Sequence, residues 1–216
     1  MENVLQVHNK KNLPDFEKWL QFLAGKGYRN YWQDLNAVTY GVAQNRSRCF
    51  MVSLLGGTKY NCPESVRLTK TLKDYLENDV DEKYYLNRDV TKLIEKIGKV
   101  DKVEKTEVIR LGGLYDTDTK RQQSGSVYDK NGLAPTLDTM QGGNREPIIV
   151  ETINGYRLRK LTPKECWRLM GFSDDDFEKA AAVNSNTQLY KQAGNSIVKP
   201  VLMAIFDKII GLGALK

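Results

Sequence analysis

The chain has 216 residues, of which 40% are hydrophobic and 28% are charged. A chain of this length and composition can bury a core, which excludes a disordered protein. Lysine and arginine total 33 against 27 aspartate and glutamate residues, giving a formal net charge of +6. This balance suits a polyanionic partner such as DNA, and it equally suits many ordinary globular proteins.

Three cysteines, Cys49, Cys62 and Cys166, are far apart in the sequence and odd in number. Such spacing is typical of neither a disulfide framework nor a zinc site, so we expect no metal and a reducing, cytoplasmic location. No apolar run approaches the roughly 20 residues that cross a bilayer, and the N-terminus lacks the pattern of a signal peptide. We therefore expect neither export nor a membrane partner.

The first predicted element is a helix over residues 14–24. It starts at a proline and stops at two glycines, and its apolar positions Phe16, Trp19, Leu20 and Leu23 recur at helical spacing. These side chains are expected to lie in the core. Strands are predicted over residues 28–35 and 48–55, and a helix followed by two strands is typical of the end of an α/β sheet.

The composition changes from residue 58 onwards. Residues 64–77 and 90–97 have helical periodicity with charges of both signs on their outer faces, so two scaffold helices are expected. Residues 112–145 are rich in glycine, serine, threonine and amides, which favours a set of ordered functional loops. Short strands are predicted at residues 108–111, 127–128, 134–137 and 148–150.

The last part of the chain is predicted to be helical. Thr162, Pro163 and Glu165 form a capping-box start signal. A short helix is predicted over residues 174–182. A closing helix is predicted over residues 196–210, where Pro200 is tolerable because it lies in the first turn.

Four segments stand out: Glu2-Asn3-Val4, QNRSR at residues 44–48, RKLTPKECWRLMGF at residues 159–172 and QAGNS at residues 192–196. Taken together and in this order, they resemble motifs of DNA cytosine-5 methyltransferases. The third is the most specific, because seven or more identities fall on a fixed spacing. The resemblance covers essentially the whole chain. It implies an α/β fold, with the C-terminal part of a Rossmann-like methyltransferase sheet and an inserted, loop-rich α+β target recognition domain.

The resemblance also assigns residues to the chemistry. Carbon 5 of cytosine is a poor nucleophile, so a thiolate is added at carbon 6 while a carboxyl group meets N3 and a cation holds O2. Matched residue by residue, Glu2 would contact N3 and the exocyclic amine, and Arg48 would contact O2. Arg46 belongs to the same catalytic segment. The base must first be swung out of the duplex.

Cofactor and DNA contacts follow from the same resemblance. Asn195 and Ser196 would bind S-adenosyl-L-methionine, on the expectation that they stand at a helix N-terminus, where amide groups suit a carboxylate. Double-stranded DNA is the expected partner, and Thr136-Leu137 is similar to a pair that the family carries in its recognition region. The candidate DNA contacts are Gln44, Arg121, Gln123, Thr136, Leu137, Gln141 and Arg145.

Two motifs of the family do not occur in this sequence: the Phe-x-Gly-x-Gly cofactor loop and the Pro-Cys segment that carries the nucleophile. We therefore expect a C-terminal portion or subunit that is inactive without an N-terminal half, and that associates with this half or with another copy of itself. The alternative is a catalytically inactive DNA-binding remnant or decoy. The expected divisions are residues 1–57, the end of the catalytic domain; 58–158, the target recognition domain; 159–190, a hinge region; and 191–216, a closing helix.

Overall fold

The computed structural model describes residues 1–56, 59–88, 107–116, 124–143, 145–152 and 155–211. The helices are α1 (Leu13–Gly25), α2 (Pro163–Arg168), α3 (Asp174–Ala181), α4 (Asn186–Asn195) and α5 (Lys199–Gly211). The strands are β1 (Glu2–Asn3), β2 (Tyr28–Asn36), β3 (Ser47–Leu55), β4 (Tyr85–Leu86), β5 (Arg110–Gly113), β6 (Ser126–Tyr128), β7 (Ile148–Thr152) and β8 (Tyr156–Lys160). Among the residues that the structure describes, no helix is long and apolar enough to cross a membrane.

The first sheet is antiparallel and has the strand order β1-β3-β2. Strands β2 and β3 pair along their full length, whereas β1 pairs only with Phe50 and Cys49 of β3. Because side chains alternate along a strand, Cys49 and Met51 lie on one face of β3 and Phe50 lies on the other. The two predicted strands are confirmed to within one residue at each end.

Helix α1 covers the face of the first sheet that carries Cys49 and Met51. Phe16 packs with these two residues in a small apolar cluster. The chain leaves the helix through Gly27, whose positive φ of 88° favours glycine. The predicted helix is confirmed, but Trp19 was wrongly expected in the core: it is 46% exposed, because the buried side of α1 is narrow.

Helix α5 covers the opposite face of the first sheet. Its buried residues Val201 and Ile205 belong to the same core cluster as Phe50. The helix begins at Lys199, three residues later than predicted, and Pro200 lies in the first turn, where no intrahelical N–H bond is needed. The first sheet is thus enclosed between two helices, which is the layer order of an α/β fold.

The second sheet has the order β4-β8-β7-β6-β5, and its neighbouring strands are antiparallel except for β6 and β7. Its buried side holds a separate apolar cluster of Leu111, Val127, Ile148, Val150 and Leu158. The strands predicted at residues 127–128 and 148–150 are confirmed, and that at 108–111 lies two residues later, at Arg110–Gly113. The strand predicted at 134–137 is wrong, because only an isolated bridge to Ala134 forms there.

The predicted helix over residues 64–77 is also wrong. The segment is extended or irregular except for a short 3-10 helix at Leu72–Tyr75. Leu72 is fully buried, and its backbone N–H donates to the carbonyl of Gly132, so long-range packing overrides the helical pattern. The predicted helix over residues 90–97 lies outside the described residues.

A buried cluster of charges joins the second sheet to α2. Arg159 on β8 makes two hydrogen bonds to Glu165, at 2.8 and 2.7 Å, and its Nε lies 2.8 Å from Glu151. Glu165 also accepts the backbone N–H of Thr162, completing the capping box that the sequence predicts at this helix start. The motif at residues 159–172 therefore holds a strand end and a helix start together.

Candidate functional site

Glu2 and Arg48 form an ion pair on the same face of the first sheet. Glu2 lies opposite Phe50, and Arg48 is two residues before Phe50 on β3, so the two side chains are diagonal neighbours across the strands. The Nε of Arg48 is 3.3 Å from Oε1 of Glu2. The side chains of Glu2 and Arg48 are 20% and 18% exposed, so a carboxylate and a cation lie side by side and only partly accessible.

Arg46 points into the protein. Its Nη1 donates to the carbonyl of Leu137 at 2.8 Å, and its Nη2 donates to the carbonyls of Gly194 and Ser196 at 3.0 and 3.1 Å. Burial and the nearby positive charge of Arg48 lower the pKa of Arg46 to about 10, while the negative charge of Glu2 acts in the opposite direction. Both Nη atoms of Arg46 are thus bonded to backbone carbonyls, and its membership of the catalytic segment stays a prediction.

Gln44 is likewise buried, with no exposed surface. Its Nε2 donates to the carbonyl of Leu169 at 2.7 Å, and its Oε1 accepts from the backbone N–H of Leu137 at 3.2 Å. Both backbone groups of Leu137 are thus held, the N–H by Gln44 and the carbonyl by Arg46. The expected DNA contacts of Gln44 and Leu137 are corrected, because both side chains are inside the core.

Thr136 is exposed beside this buried attachment, and its hydroxyl donates to the carbonyl of Asn45. A cleft of about 520 Å³ brings Thr136 together with Arg145 and with Tyr128 of β6. Arg145 is exposed and lies 3.8 Å from Asp138. The sequence singled out neither Tyr128 nor Asp138, which also line this cleft; Tyr128 reaches it through the pairing of β6 beside β7.

Gln141 is also exposed and is followed by two exposed glycines, Gly142 and Gly143, with positive φ. Backbone of this kind can approach a ligand closely. The candidate DNA contacts Arg121 and Gln123 lie outside the described residues.

Asn195 and Ser196 lie in the turn between α4 and α5. Asn195 is the last residue of α4 and Ser196 its C-cap, so the expected position at a helix N-terminus is wrong. Helix α4 was not predicted from the sequence; the side chain of Ser185 caps its N-terminus. Asn195 is exposed, and its side-chain amide makes no hydrogen bond among the described residues. The Ser196 hydroxyl donates to the carbonyl of Ile197.

The three cysteines are not poised as nucleophiles. Burial, with a further contribution from Asp34, raises the pKa of Cys49 to about 11. Burial also raises the pKa of Cys62, and it raises that of Cys166 well above its ordinary value. Since the thiolate is the attacking form, these raised pKa values disfavour nucleophilic attack by each of the three thiols.

Comparisons with known proteins all find DNA methyltransferases. Residues 1–211 match the family described as C-5 cytosine-specific DNA methylase. The chain is 35% identical over 210 residues to the type II methyltransferase M2.ScrFI of Lactococcus lactis subsp. cremoris, covering 97% of this chain and 53% of that protein. It is 33% identical to the orphan methyltransferase M.SPBetaI of Bacillus phage SPbeta, covering 97% of this chain and 65% of that protein. The chain thus spans between half and two thirds of these relatives.

The fold is similar to that of the S. pombe Dnmt2 methyltransferase, with a TM-score of 0.63 and 18% sequence identity. The similarity covers 98% of this chain and 66% of that chain. At this level of identity the comparison concerns the fold alone. The similarity is consistent with an α/β fold of the Rossmann-like methyltransferase type.

Proposed function

Because the chain belongs to the C-5 cytosine-specific DNA methylase family, we propose that it is the C-terminal portion or subunit of a DNA cytosine-5 methyltransferase. Enzymes of this family take their methyl group from S-adenosyl-L-methionine. In this proposal the chain reads the DNA sequence and completes the pocket around a flipped cytosine. The observation that carries it is the partly exposed ion pair of Glu2 and Arg48 at the β1 edge of the first sheet.

The proposed roles of this pair follow from its chemistry. The carboxyl group of Glu2 meets N3 and the exocyclic amine of cytosine, and the guanidinium of Arg48 meets O2. Nη1 of Arg48 is used by the carbonyl of Ser47, and Nη2 has no partner in the described part of the chain. Their mutual contact orients both side chains before the base arrives. Arg46 acts beneath them as a positioning residue.

The second sheet and its loops are the proposed target recognition domain, within residues 58–158. Thr136, Gln141 and Arg145 are exposed at or beside one cleft, and they have side chains suited to DNA bases and phosphates. Arg121 and Gln123 keep the same proposed role. The clamp of Gln44 and Arg46 on Leu137 supports this assignment, because it fixes the recognition loop directly to the strand that carries Arg48.

Asn195 and Ser196 are the proposed residues for the cofactor. The exposed amide of Asn195, without a partner among the described residues, fits a polar ligand group. The Ser196 hydroxyl is already used as a donor and so would accept. Arg46 donates to the carbonyls of Gly194 and Ser196, and this link between their turn and the segment that carries Arg48 supports the proposal.

An apolar groove supports a separate N-terminal half as the partner. A space of about 310 Å³ between β3 and α5 is lined by Phe50, Val52, Leu202, Phe206 and Ile209. Beyond the two residues paired with β1, this edge of β3 has no strand partner in the described chain. Open strand edges and apolar grooves are surfaces that proteins normally cover. We propose that the half carrying the nucleophile packs here, and that a second copy of the chain can occupy the same surface.

Reconstitution tests this proposal. The purified chain alone should transfer no methyl group from labelled S-adenosyl-L-methionine to DNA, and adding the matching N-terminal half of a relative should restore transfer. Glu2→Gln should abolish most of the restored activity. The matched control Glu17→Gln changes an exposed carboxyl on α1 and should leave it intact. DNA binding without transfer in any combination would instead favour the inactive remnant.

A further inference from the structure

His8, Asp34 and Cys49 form a cluster on the α1 side of the first sheet. Their ligand atoms all lie within 4.8 Å of one another, and among the described residues no other three His, Cys, Asp or Glu side chains are grouped in this way. The Nε2 of His8 is 2.9 Å from Oδ1 of Asp34. None of the three takes part in the proposed methyl transfer.

Rigid elements hold the three side chains. Asp34 on β2 and Cys49 on β3 are directly opposite in the strand register, so their side chains share one face of the sheet. His8 ends a short 3-10 helix, Leu5–His8, and its ring packs against Trp32 with the centroids 5.1 Å apart. The cluster therefore needs no large rearrangement to converge on a single ion.

The donor atoms are an imidazole nitrogen, a carboxylate oxygen and a sulfur, which together are typical zinc ligands. We propose that His8, Asp34 and Cys49 bind a zinc ion, with water in the fourth position. As the zinc–sulfur bond forms, the Cys49 thiol loses its proton to solvent. The sequence predicted no metal site, because ligands at positions 8, 34 and 49 have no recognisable spacing.

The exposure of the ligands indicates how the ion enters. Cys49 is buried, whereas the side chains of His8 and Asp34 are 22% and 40% exposed. An ion would therefore reach the sulfur from the side of Asp34. Once bound, it would join the segment after β1 to β2 and β3, on the opposite face of the sheet from Glu2 and Arg48.

Cobalt titration of the full, untagged chain tests the site. Co²⁺ bound to a thiolate gives ligand-to-metal charge-transfer absorption, and a tetrahedral site gives strong visible bands that stoichiometric Zn²⁺ should abolish. His8 is the single histidine of the chain, so His8→Gln removes all imidazole ligation. Loss of a residue that only supports a metal ligand lowers metal affinity by roughly 10–100-fold. Because His8→Gln and Asp34→Asn remove ligands themselves, each should weaken metal binding by at least this factor. The matched control Cys62→Ser should bind as the unchanged chain does.

A second measurement guards against a folding defect. Zn²⁺ should raise the Tm of the unchanged chain and alter its tryptophan fluorescence, because Trp32 packs against His8. Neither change should occur in His8→Gln, whose side chain is partly exposed and whose circular dichroism should be unchanged. The proposal is overturned if the unchanged chain gives no thiolate–cobalt band, or if His8→Gln and Cys62→Ser bind equally. Asp34 would then serve only as the hydrogen-bond acceptor of the cluster.

Discussion

Replacing Glu165 by glutamine is expected to destabilise the fold strongly. Glu165 and Arg159 are both fully buried, and Glu165 accepts two hydrogen bonds from Arg159 and one each from the backbone N–H groups of Thr162 and Glu77. Glutamine keeps the size of the side chain, but it removes the charge and replaces one accepting oxygen by an NH2 group that faces N–H donors. Breaking a buried ion pair on one side costs about 3–5 kcal/mol. Glu151 would still contact Arg159, which places the expected loss near the lower end of that range.

Urea denaturation followed by tryptophan fluorescence measures this loss. Glu82→Gln is the matched control, because it removes a carboxylate that pairs with Arg157 on the surface, and it should change stability far less. In an Arg159→Met background, Glu165→Gln should cost much less, since no buried cation is left unpaired. A loss no larger than the roughly 0.5 kcal/mol of an ordinary surface substitution would refute the reasoning, and so would an equal loss in both backgrounds.

Four further outcomes are expected. In the reconstituted enzyme, Glu2→Gln and Arg48→Ala should each lower kcat by about the 2.7–4 kcal/mol of one lost transition-state contact, with little change in DNA affinity; near-normal kcat in both would contradict the assigned roles. Gly194→Ala should lower the Tm, because a Cβ there would clash with the carbonyl of Asp138, and overpacking costs roughly 1–3 kcal/mol. Arg145→Ala should weaken DNA binding and lower its salt slope by about 1 if it contacts a phosphate, whereas an unchanged fluorescence-anisotropy titration would remove it from the interface. Hydrogen bonds from Lys199 and Ser173 lower the pKa of Asp176 to about 2, so its stabilising contribution is present above the ordinary pKa of 3.8 and is lost as pH falls towards 2; urea titrations of Asp176→Asn should show a weaker pH dependence in that window.

The sequence predicted those elements whose signals are local. The start of α2 depends on Thr162, Pro163 and Glu165, which are adjacent in sequence and form the capping box by themselves. Strand β3 was predicted from a single apolar run. The segment around Leu72 was misread because its apolar residues pack against distant loops, such as that of Gly132, and not along one helical face. Helical spacing alone does not distinguish these two arrangements.

The site shows the same limit. The residue types at positions 44–48 predicted a catalytic segment, yet they did not reveal that Arg46 turns inward while Arg48 turns to Glu2. That difference depends on the strand register and on the carbonyls of Leu137 and Gly194, which are about 90 and 150 residues further along the chain. The cluster of His8, Asp34 and Cys49 was missed for the same reason, because only the pairing of β2 with β3 brings it together.

The attachment of Leu137 has a consequence for how such proteins diversify. Arg46 and Gln44 bind only main-chain atoms of the recognition loop, and Arg46 does the same at Gly194 and Ser196. Main-chain groups are the same in almost every residue, so these hydrogen bonds do not depend on which exposed side chains the loop carries, although the buried Leu137 side chain is itself fixed by the core. If the loop reads DNA as proposed, its exposed side chains can change on an unchanged scaffold, and a new DNA target can arise without adjustment of the strand that carries Arg48.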